Sequence, residues 1–159
     1  MHGLAAVALD GQPISSTRIR ESIRTGDLDA ASRMLGRRYS LTSRVIRGDQ
    51  LGRQLGFPTA NLDVTGLALP PNGVYAARAN VVGQATCEAV VNIGCRPTLP
   101  QAAPQISVEA HLLDFKGDLY DRELEVVFIG KLRAEIKFPS LAALKEQINR
   151  DIAAARTRF

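Results

Sequence analysis

The sequence predicts a mainly β protein, with an antiparallel sheet or small barrel in the middle of the chain and a helix at its C-terminal end. Two observations support this. Between residues 39 and 133, apolar runs are separated by Gly, Pro and Asn. In one run, Ile106, Val108, Ala110 and Leu112 recur at every second position, the period of a strand. The predicted strands cover residues 39–47, 58–62, 73–82, 86–93, 106–114 and 123–132.

The two ends of the chain have helical patterns. After Ser140, a candidate N-cap, apolar residues recur at three- or four-residue steps, at Leu141, Leu144, Ile148 and Ile152. Near the start, hydroxyl residues at 15–17 precede a helical pattern, and Asp27 is placed to cap a second helix that stops at Gly36. We therefore expect a short helical segment at 1–38 and a compact domain at 39–159.

Composition sets broad limits on function. The chain has 159 residues, 45% of them hydrophobic, and a net charge of +4 without a long basic run. That charge suits a polyanionic substrate or nucleic acid, and also an ordinary solvated surface. Cys87 and Cys95 lack metal-site spacing and predict reduced thiols in a cytoplasmic protein. The apolar run at 4–9 is too short to span a membrane.

A glycine-rich segment lies between the first two predicted strands. Gly48, Gly52 and Gly56 are four residues apart, with Arg47 and Arg53 beside them. Glycines let backbone N–H groups approach a ligand closely, and such groups bind phosphate oxygens. The P-loop pattern is absent. The glycines alone leave phosphate binding and a plain turn open.

The residues after this segment carry more information. They read Phe57-Pro58-Thr59-Ala60-Asn61, and in an extended backbone Thr59 and Asn61 point the same way. Hydroxyl and amide oxygens are neutral, hard donors of the kind Mg²⁺ accepts beside waters and phosphates. The alternative is that the pair only closes a turn.

Glu109 stands within an otherwise apolar strand pattern, two residues before His111. An exposed, solvated Glu is the ordinary interpretation. Beside a nucleotide site, its carboxylate could instead accept a proton from a substrate hydroxyl. His111 lies on the same face of a regular strand and has no histidine cluster around it.

Several ordered motifs resemble the riboflavin kinase module of bacterial bifunctional riboflavin kinase/FAD synthetase. The resemblance extends from about residue 39 to the end of the chain. Its motifs are GRQLGFPTAN (52–61), LPPNGVYAA (69–77), VNIGCRPT (91–98), SVEAHLLDF (107–115), GDLY (117–120) and LRAEIKF (132–138).

The resemblance implies a six-stranded antiparallel Greek-key barrel with a C-terminal helix. It also implies transfer of the ATP γ-phosphate to the riboflavin 5′-hydroxyl, giving FMN. Glu109 would be the general base, and Thr59 and Asn61 would hold Mg²⁺ with ATP. Residues implied in ATP binding are Arg47, Gly48, Gly52, Arg53, Gly56, Phe57, Pro58, Thr59 and Asn61. Residues implied on the flavin side are His111, Arg133, Phe138 and Leu141.

The segment ISSTRIRESIRTGDLDAASRMLGR resembles the end of the FMN adenylyltransferase domain that precedes the kinase in this family. With His2 and His111 as the only histidines, the HxGH-type motif of that domain is absent. We expect a fragment that makes FMN and no FAD, whose full-length partner is the missing adenylyltransferase domain. Nucleic acid and membrane are not expected partners. The alternative is a non-catalytic small barrel that binds flavin or nucleic acid.

Overall fold

The computed structural model describes residues 8–96 and 105–159. The predicted loop at 97–105 lies outside the described residues, except for Gln105, which begins a strand. The chain forms two compact units. One runs as far as Tyr39 and includes Ala68–Pro71, and the other comprises Ser40–Leu67 and Asn72–Phe159.

The first unit contains a two-strand hairpin and two helices. Its elements are β1 (Ala8–Leu9), β2 (Gln12–Pro13), α1 (Ser16–Thr25) and α2 (Leu28–Leu35). Ser15 and Asp27 cap the helices, each accepting a hydrogen bond from a backbone N–H three residues ahead. Gly36 ends α2 in the left-handed conformation. Both predicted helices are confirmed, and the hairpin was not predicted.

The second unit is a closed six-stranded barrel, which confirms the predicted fold class. Neighbouring strands follow the order β3-β4-β7-β6-β5-β8, and every pair is antiparallel. The elements are β3 (Ser40–Ile46), α3 (Leu51–Leu55), β4 (Ala60–Leu62), β5 (Gly73–Val81), β6 (Cys87–Arg96), β7 (Gln105–Leu112), β8 (Glu123–Arg133) and α4 (Leu141–Arg156). The glycine-rich segment was expected to be a loop, and five of its residues instead form α3.

The barrel interior is filled by aliphatic side chains and one aromatic pair. Leu124, Val126 and Val91 are completely buried. Tyr75 meets Phe128 edge to face, with 5.4 Å between ring centroids. Burial of Tyr75 raises its pKa to about 12, because desolvation disfavours the phenolate.

Helix α4 covers part of the outside of the barrel. Ser140 caps its start, as predicted, by accepting a hydrogen bond from the Ala143 N–H. Ala155, together with Ile152 and Phe159, packs on a patch formed by Val74, Ala76, Val90 and Leu113. Within the described ranges, no helix is long and apolar enough to cross a membrane.

Candidate active site

A cavity of about 370 Å³ lies on the outer face of the barrel, and we call it the outer cavity. Its volume is within the range of small-molecule sites, about 300–1,000 Å³. The segment 49–59 forms one side, strands β6 and β7 another, and α4 with residues 133–138 a third. Its apolar walls are formed by Leu51, Leu55, Phe57, Val74, Val90, Ile136, Phe138, Leu144 and Ile148.

Glu109 lies in the outer cavity, partly buried, in the middle of β7. Its neighbours Val108 and Ala110 face the barrel interior, so the strand's alternation directs Glu109 outward. The Thr59 hydroxyl donates a hydrogen bond to Oε2 of Glu109 over 3.2 Å. The predicted base and one predicted metal ligand are therefore in direct contact.

Asn61 lies beside Glu109 on the neighbouring strand. The two residues are Cα partners in the β4–β7 ladder, so their side chains share a face. Asn61 is buried, with 8% of its surface exposed. Thr59 immediately precedes this strand, so both Thr59 and Asn61 lie beside Glu109.

His111 lies two residues after Glu109 on β7 and is held by two contacts. Its Nδ1 is 2.7 Å from the carbonyl oxygen of Pro58, so Nδ1 carries the proton and donates to that oxygen. Its ring also meets Phe57 edge to face at 5.8 Å between centroids. His111 therefore attaches the end of the glycine-rich segment to β7 and lines the outer cavity.

Two glycines of the predicted phosphate segment are required by close packing. A methyl group at Gly48 would overlap the side-chain amide of Asn61. One at Gly52 would overlap the backbone oxygen of Phe57 and lie 3.2 Å from the Thr59 hydroxyl. Both glycines let the backbone pass directly over the two candidate metal ligands.

An ion pair joins the barrel to α4 at the far side of the outer cavity. The Nε of Arg133 donates to Asp151 Oδ1 over 2.9 Å, and its second terminal nitrogen donates to Oδ2 over 2.8 Å. Gln147 donates to the same carboxylate over 2.9 Å. Arg133 also lies 5.7 Å from the ring centroid of Phe138. The ion pair therefore joins Arg133 to α4, and Phe138 lies beside the guanidinium group.

A smaller cavity of about 80 Å³, which we call the inner cavity, lies on the other side of β4. Core-facing residues of β3, β4 and β7 form one side, and Arg53, Phe115 and the segment 117–120 form the other. Thr59 lines both cavities. Arg47 is adjacent, with its guanidinium carbon 5.2 Å from the ring centroid of Tyr120, a lining residue.

The two cavities differ in charge. The outer cavity has four carboxylates, Asp49, Glu109, Glu135 and Asp151, against one arginine. Such a lining disfavours a polyanion and suits an uncharged ligand with an apolar ring. The inner cavity has Arg53 with Asp118, and Arg47 stands beside it. The cationic side chains predicted for phosphate binding are therefore on the inner side of Thr59.

The predicted site residues are distributed over both cavities and their surroundings. The outer cavity has Gly52, Phe57, Thr59, Glu109, His111, Arg133 and Phe138, and the inner cavity has Arg53, Pro58 and Thr59. Arg47, Gly48, Gly56 and Asn61 line neither cavity. Leu141 is 59% exposed at the start of α4 and is also outside both linings. The structure therefore gives Leu141 no contact with either cavity.

Three of the lining residues that were not predicted from the sequence show why they were missed. Asn92 was hidden in a predicted strand, and only its register with Glu109 brings it to the cavity. Asp151 was given no role in the helical pattern of α4. Tyr120 belongs to the GDLY motif, which was noticed without a role.

Oxygen donors suitable for a divalent cation are present at Thr59 and Asn61. Among the described residues, no group of three or more His, Cys, Asp or Glu side chains could hold a metal by themselves. A hydroxyl and an amide oxygen form an incomplete set that fits an ion keeping several waters and phosphate oxygens, as Mg²⁺ does.

Comparisons with known proteins identify the family of this chain. The family model described as "Flavokinase: Riboflavin kinase" matches residues 35–159. A bifunctional riboflavin kinase/FMN adenylyltransferase of Pseudomonas fluorescens is 49% identical over 150 residues, covering 94% of this chain and 48% of the relative. The protein of the same name from Escherichia coli K12 is 42% identical, covering 94% of this chain and 47% of the relative. The chain belongs to the riboflavin kinase family.

The chain spans about half the length of the curated relatives it matches. Solved structures show the same fold. A crystal structure described as a macrolide-efflux protein from Streptococcus pneumoniae superposes with a TM-score of 0.82 at 30% identity, covering 95% of this chain and 49% of the other. A riboflavin kinase from Trypanosoma brucei gives a TM-score of 0.54 at 25% identity, covering 74% of each chain.

Proposed function

We propose that this chain transfers the γ-phosphoryl group of ATP to the 5′-hydroxyl of riboflavin, giving FMN and ADP. Beyond membership of the riboflavin kinase family, one observation supports the proposal. The Glu109 carboxylate accepts a hydrogen bond from Thr59, and Thr59 stands between an apolar, acidic cavity and a smaller cavity with arginines beside it. This arrangement provides a base between two sites of different chemistry.

The charges of the two cavities support one arrangement of the two substrates. Riboflavin has an uncharged tricyclic ring and a polyol chain, which match the apolar walls and polar groups of the outer cavity. The nucleotide phosphates carry several negative charges and would be repelled by the carboxylates that remain in excess there after Asp151 has paired with Arg133. We place the phosphates at Thr59 on the side of Arg53 and Arg47. The inner cavity is too small for a whole nucleotide, so only part of ATP would enter it.

The proton and the phosphoryl group then have defined destinations. The 5′-oxygen of riboflavin bonds to the γ-phosphorus, and Glu109 accepts the proton that this hydroxyl loses. The bond from that phosphorus to the β–γ bridging oxygen breaks, and ADP leaves with the bond's electrons. Positioning and charge neutralisation account for most of the catalysis in phosphoryl transfer. In this chain, the closely packed 48–61 segment provides the positioning.

Thr59 and Asn61 are the residues that would hold Mg²⁺ with the nucleotide. When bound, the ion neutralises phosphate charge. The chain's contribution is to fix the two oxygens. Thr59 is held by Glu109, and Asn61 is buried beneath the backbone at Gly48. Residues 39–159 form the proposed kinase domain, and 1–38 form the proposed remnant of the adenylyltransferase domain.

The test is to incubate the purified chain with riboflavin, ATP and Mg²⁺, and to separate FMN from FAD by chromatography. We expect FMN that depends on both ATP and Mg²⁺, and no FAD. No FMN, together with no flavin or ADP binding by titration calorimetry, would refute the proposal. Flavin binding without any FMN would favour the non-catalytic barrel instead.

A further inference from the structure

A single row of side chains crosses the outer face of the barrel through the outer cavity. Asn61 is the ladder partner of Glu109, and Glu109 is the partner of Asn92. Asn92 is in turn the partner of Val74, and Val74 of Arg133. Directly opposed residues share a face of the sheet, with Cβ atoms roughly 4.5–5.5 Å apart. The row therefore runs from Asn61 and Glu109, the candidate metal ligand and base, through Asn92 to the apolar Val74.

Asn92 has no role in the proposed reaction as described so far. It lines the outer cavity and is partly exposed to it. Within residues 8–96 and 105–159, its side-chain amide forms no hydrogen bond. A carboxamide both donates and accepts hydrogen bonds, as each hydroxyl of a polyol does.

The backbone beside Asn92 leaves room for polar groups. A methyl group at Gly94 would lie 2.6 Å from Oε1 of Glu135 and 3.4 Å from Nδ2 of Asn92. Glu135 is itself held by Asn72, whose amide donates to its Oε2 over 3.2 Å. Gly94 thus allows a carboxylate and an amide to stand together on the same wall.

Resting on the proposed function, we propose that Asn92 binds the internal hydroxyls of the ribityl chain and so selects flavins with a polyol side chain. A substrate whose terminal hydroxyl is at Glu109 and whose ring lies over the apolar wall at Val74 must cross Asn92. Asn92 is a specificity-determining residue in this account. A flavin without those hydroxyls leaves the amide unpaired, which costs affinity in a partly desolvated site.

The competing role for Asn92 is to orient Glu109 from the side opposite Asn61. The two roles differ in one measurable respect. A residue that orients the base affects every flavin that carries the reacting hydroxyl. A residue that binds the polyol affects only flavins that have the internal hydroxyls.

The experiment compares riboflavin with a synthetic flavin whose side chain is a plain hydroxypentyl group, which keeps the terminal hydroxyl alone. For riboflavin, Asn92→Leu should lower kcat/KM by about 5- to 100-fold, the effect of removing one hydrogen-bond partner. For the hydroxypentyl flavin, the same variant should match the unmodified protein. Equal losses for both flavins would overturn the proposal, and so would no loss for either.

Two further variants serve as controls for Asn92→Leu. Asn92→Ser retains a small polar group and should recover part of the riboflavin preference if the leucine variant folds poorly. Asn80→Leu removes an amide that bonds Glu125 on β8 and Thr86 just before β6, outside the outer cavity, and should leave the preference unchanged.

A binding measurement separates this inference from the proposed function. Quenching of flavin fluorescence gives dissociation constants without turnover. If the chain makes no FMN, the kinase proposal fails, yet Asn92 can still be tested by this route. The unmodified protein should bind riboflavin more tightly than the hydroxypentyl flavin, and Asn92→Leu should abolish the difference. A preference that survives the substitution would contradict the role of Asn92.

Discussion

The buried ion pair between β8 and α4 allows a quantitative prediction. Asp151 is 5% exposed and accepts hydrogen bonds from Arg133 and Gln147. Asp151→Asn keeps the shape of the side chain but removes the charge and turns one acceptor into a donor that faces the guanidinium. Arg133 then loses the partner of its buried charge.

The expected size of the effect follows from the geometry. Breaking a fully buried pair by removing one partner costs about 3–5 kcal/mol. The Arg133 side chain is 21% exposed and also donates to the Ala134 carbonyl over 2.9 Å, so part of its solvation is kept. We therefore expect a loss of about 2–3 kcal/mol in the free energy of unfolding. For a chain of this length, that lowers Tm by about 6–9 °C.

Differential scanning calorimetry measures this directly, and the same helix offers a control. Arg150 and Glu146 form an exposed pair one helical turn apart, both side chains being 67% exposed. Glu146→Gln should cost no more than about 0.5 kcal/mol. If Asp151→Asn lowers Tm no more than Glu146→Gln does, the Arg133–Asp151 pair does not hold α4 on the barrel.

Three further predictions concern the site and the core. Gly48→Ala, which forces the Asn61 amide aside, should lower kcat/KM for ATP by about 10- to 100-fold, and an unchanged value in the FMN assay would contradict the packing argument. Thr59→Val keeps the shape of the side chain but removes the hydroxyl, and should raise the Mg²⁺ concentration needed for half-maximal rate; an unchanged Mg²⁺ dependence would remove Thr59 from the ion's ligands. Tyr75 should ionise at about pH 12 in a phenolate absorbance titration, because burial raises its pKa above that of ordinary tyrosines. Because folding raises the pKa of Tyr75, its contribution to the free energy of unfolding is complete below the ordinary tyrosine pKa and is lost as the pH rises towards 12. Tyr75→Phe should therefore remove part of the loss of stability at alkaline pH. An unchanged dependence of stability on alkaline pH would count against the assignment.

Local chemistry made much of the fold predictable. Alternation around Val108 and Ala110 indicated a strand with one buried face, and the structure has that strand. The caps at Ser15, Asp27 and Ser140 were predictable because their side chains bond to backbone groups only three residues away. These features depend on short stretches of sequence.

The pairing of distant segments was not predictable in the same way. Asn92 lies next to Glu109 only because β6 pairs with β7 in one register, and a shift of one residue would turn Asn92 to the other face. Asp151 lies beside the apolar stripe of α4, three residues after Ile148, but its residue type gave no reason to expect burial, which depends on where Arg133 lies on β8. The resemblance to a family suggested Glu109 and Thr59, while their hydrogen bond came from the fold.

The most direct test of the central claim is the turnover of Glu109→Gln in FMN formation. A positioned general base contributes about 10²–10⁴-fold to the rate, so kcat should fall by an amount in that range. Riboflavin and ATP binding should be retained, because the glutamine oxygen can still accept the hydrogen bond from Thr59. A kcat close to that of the unmodified protein would show that Glu109 does not take the proton.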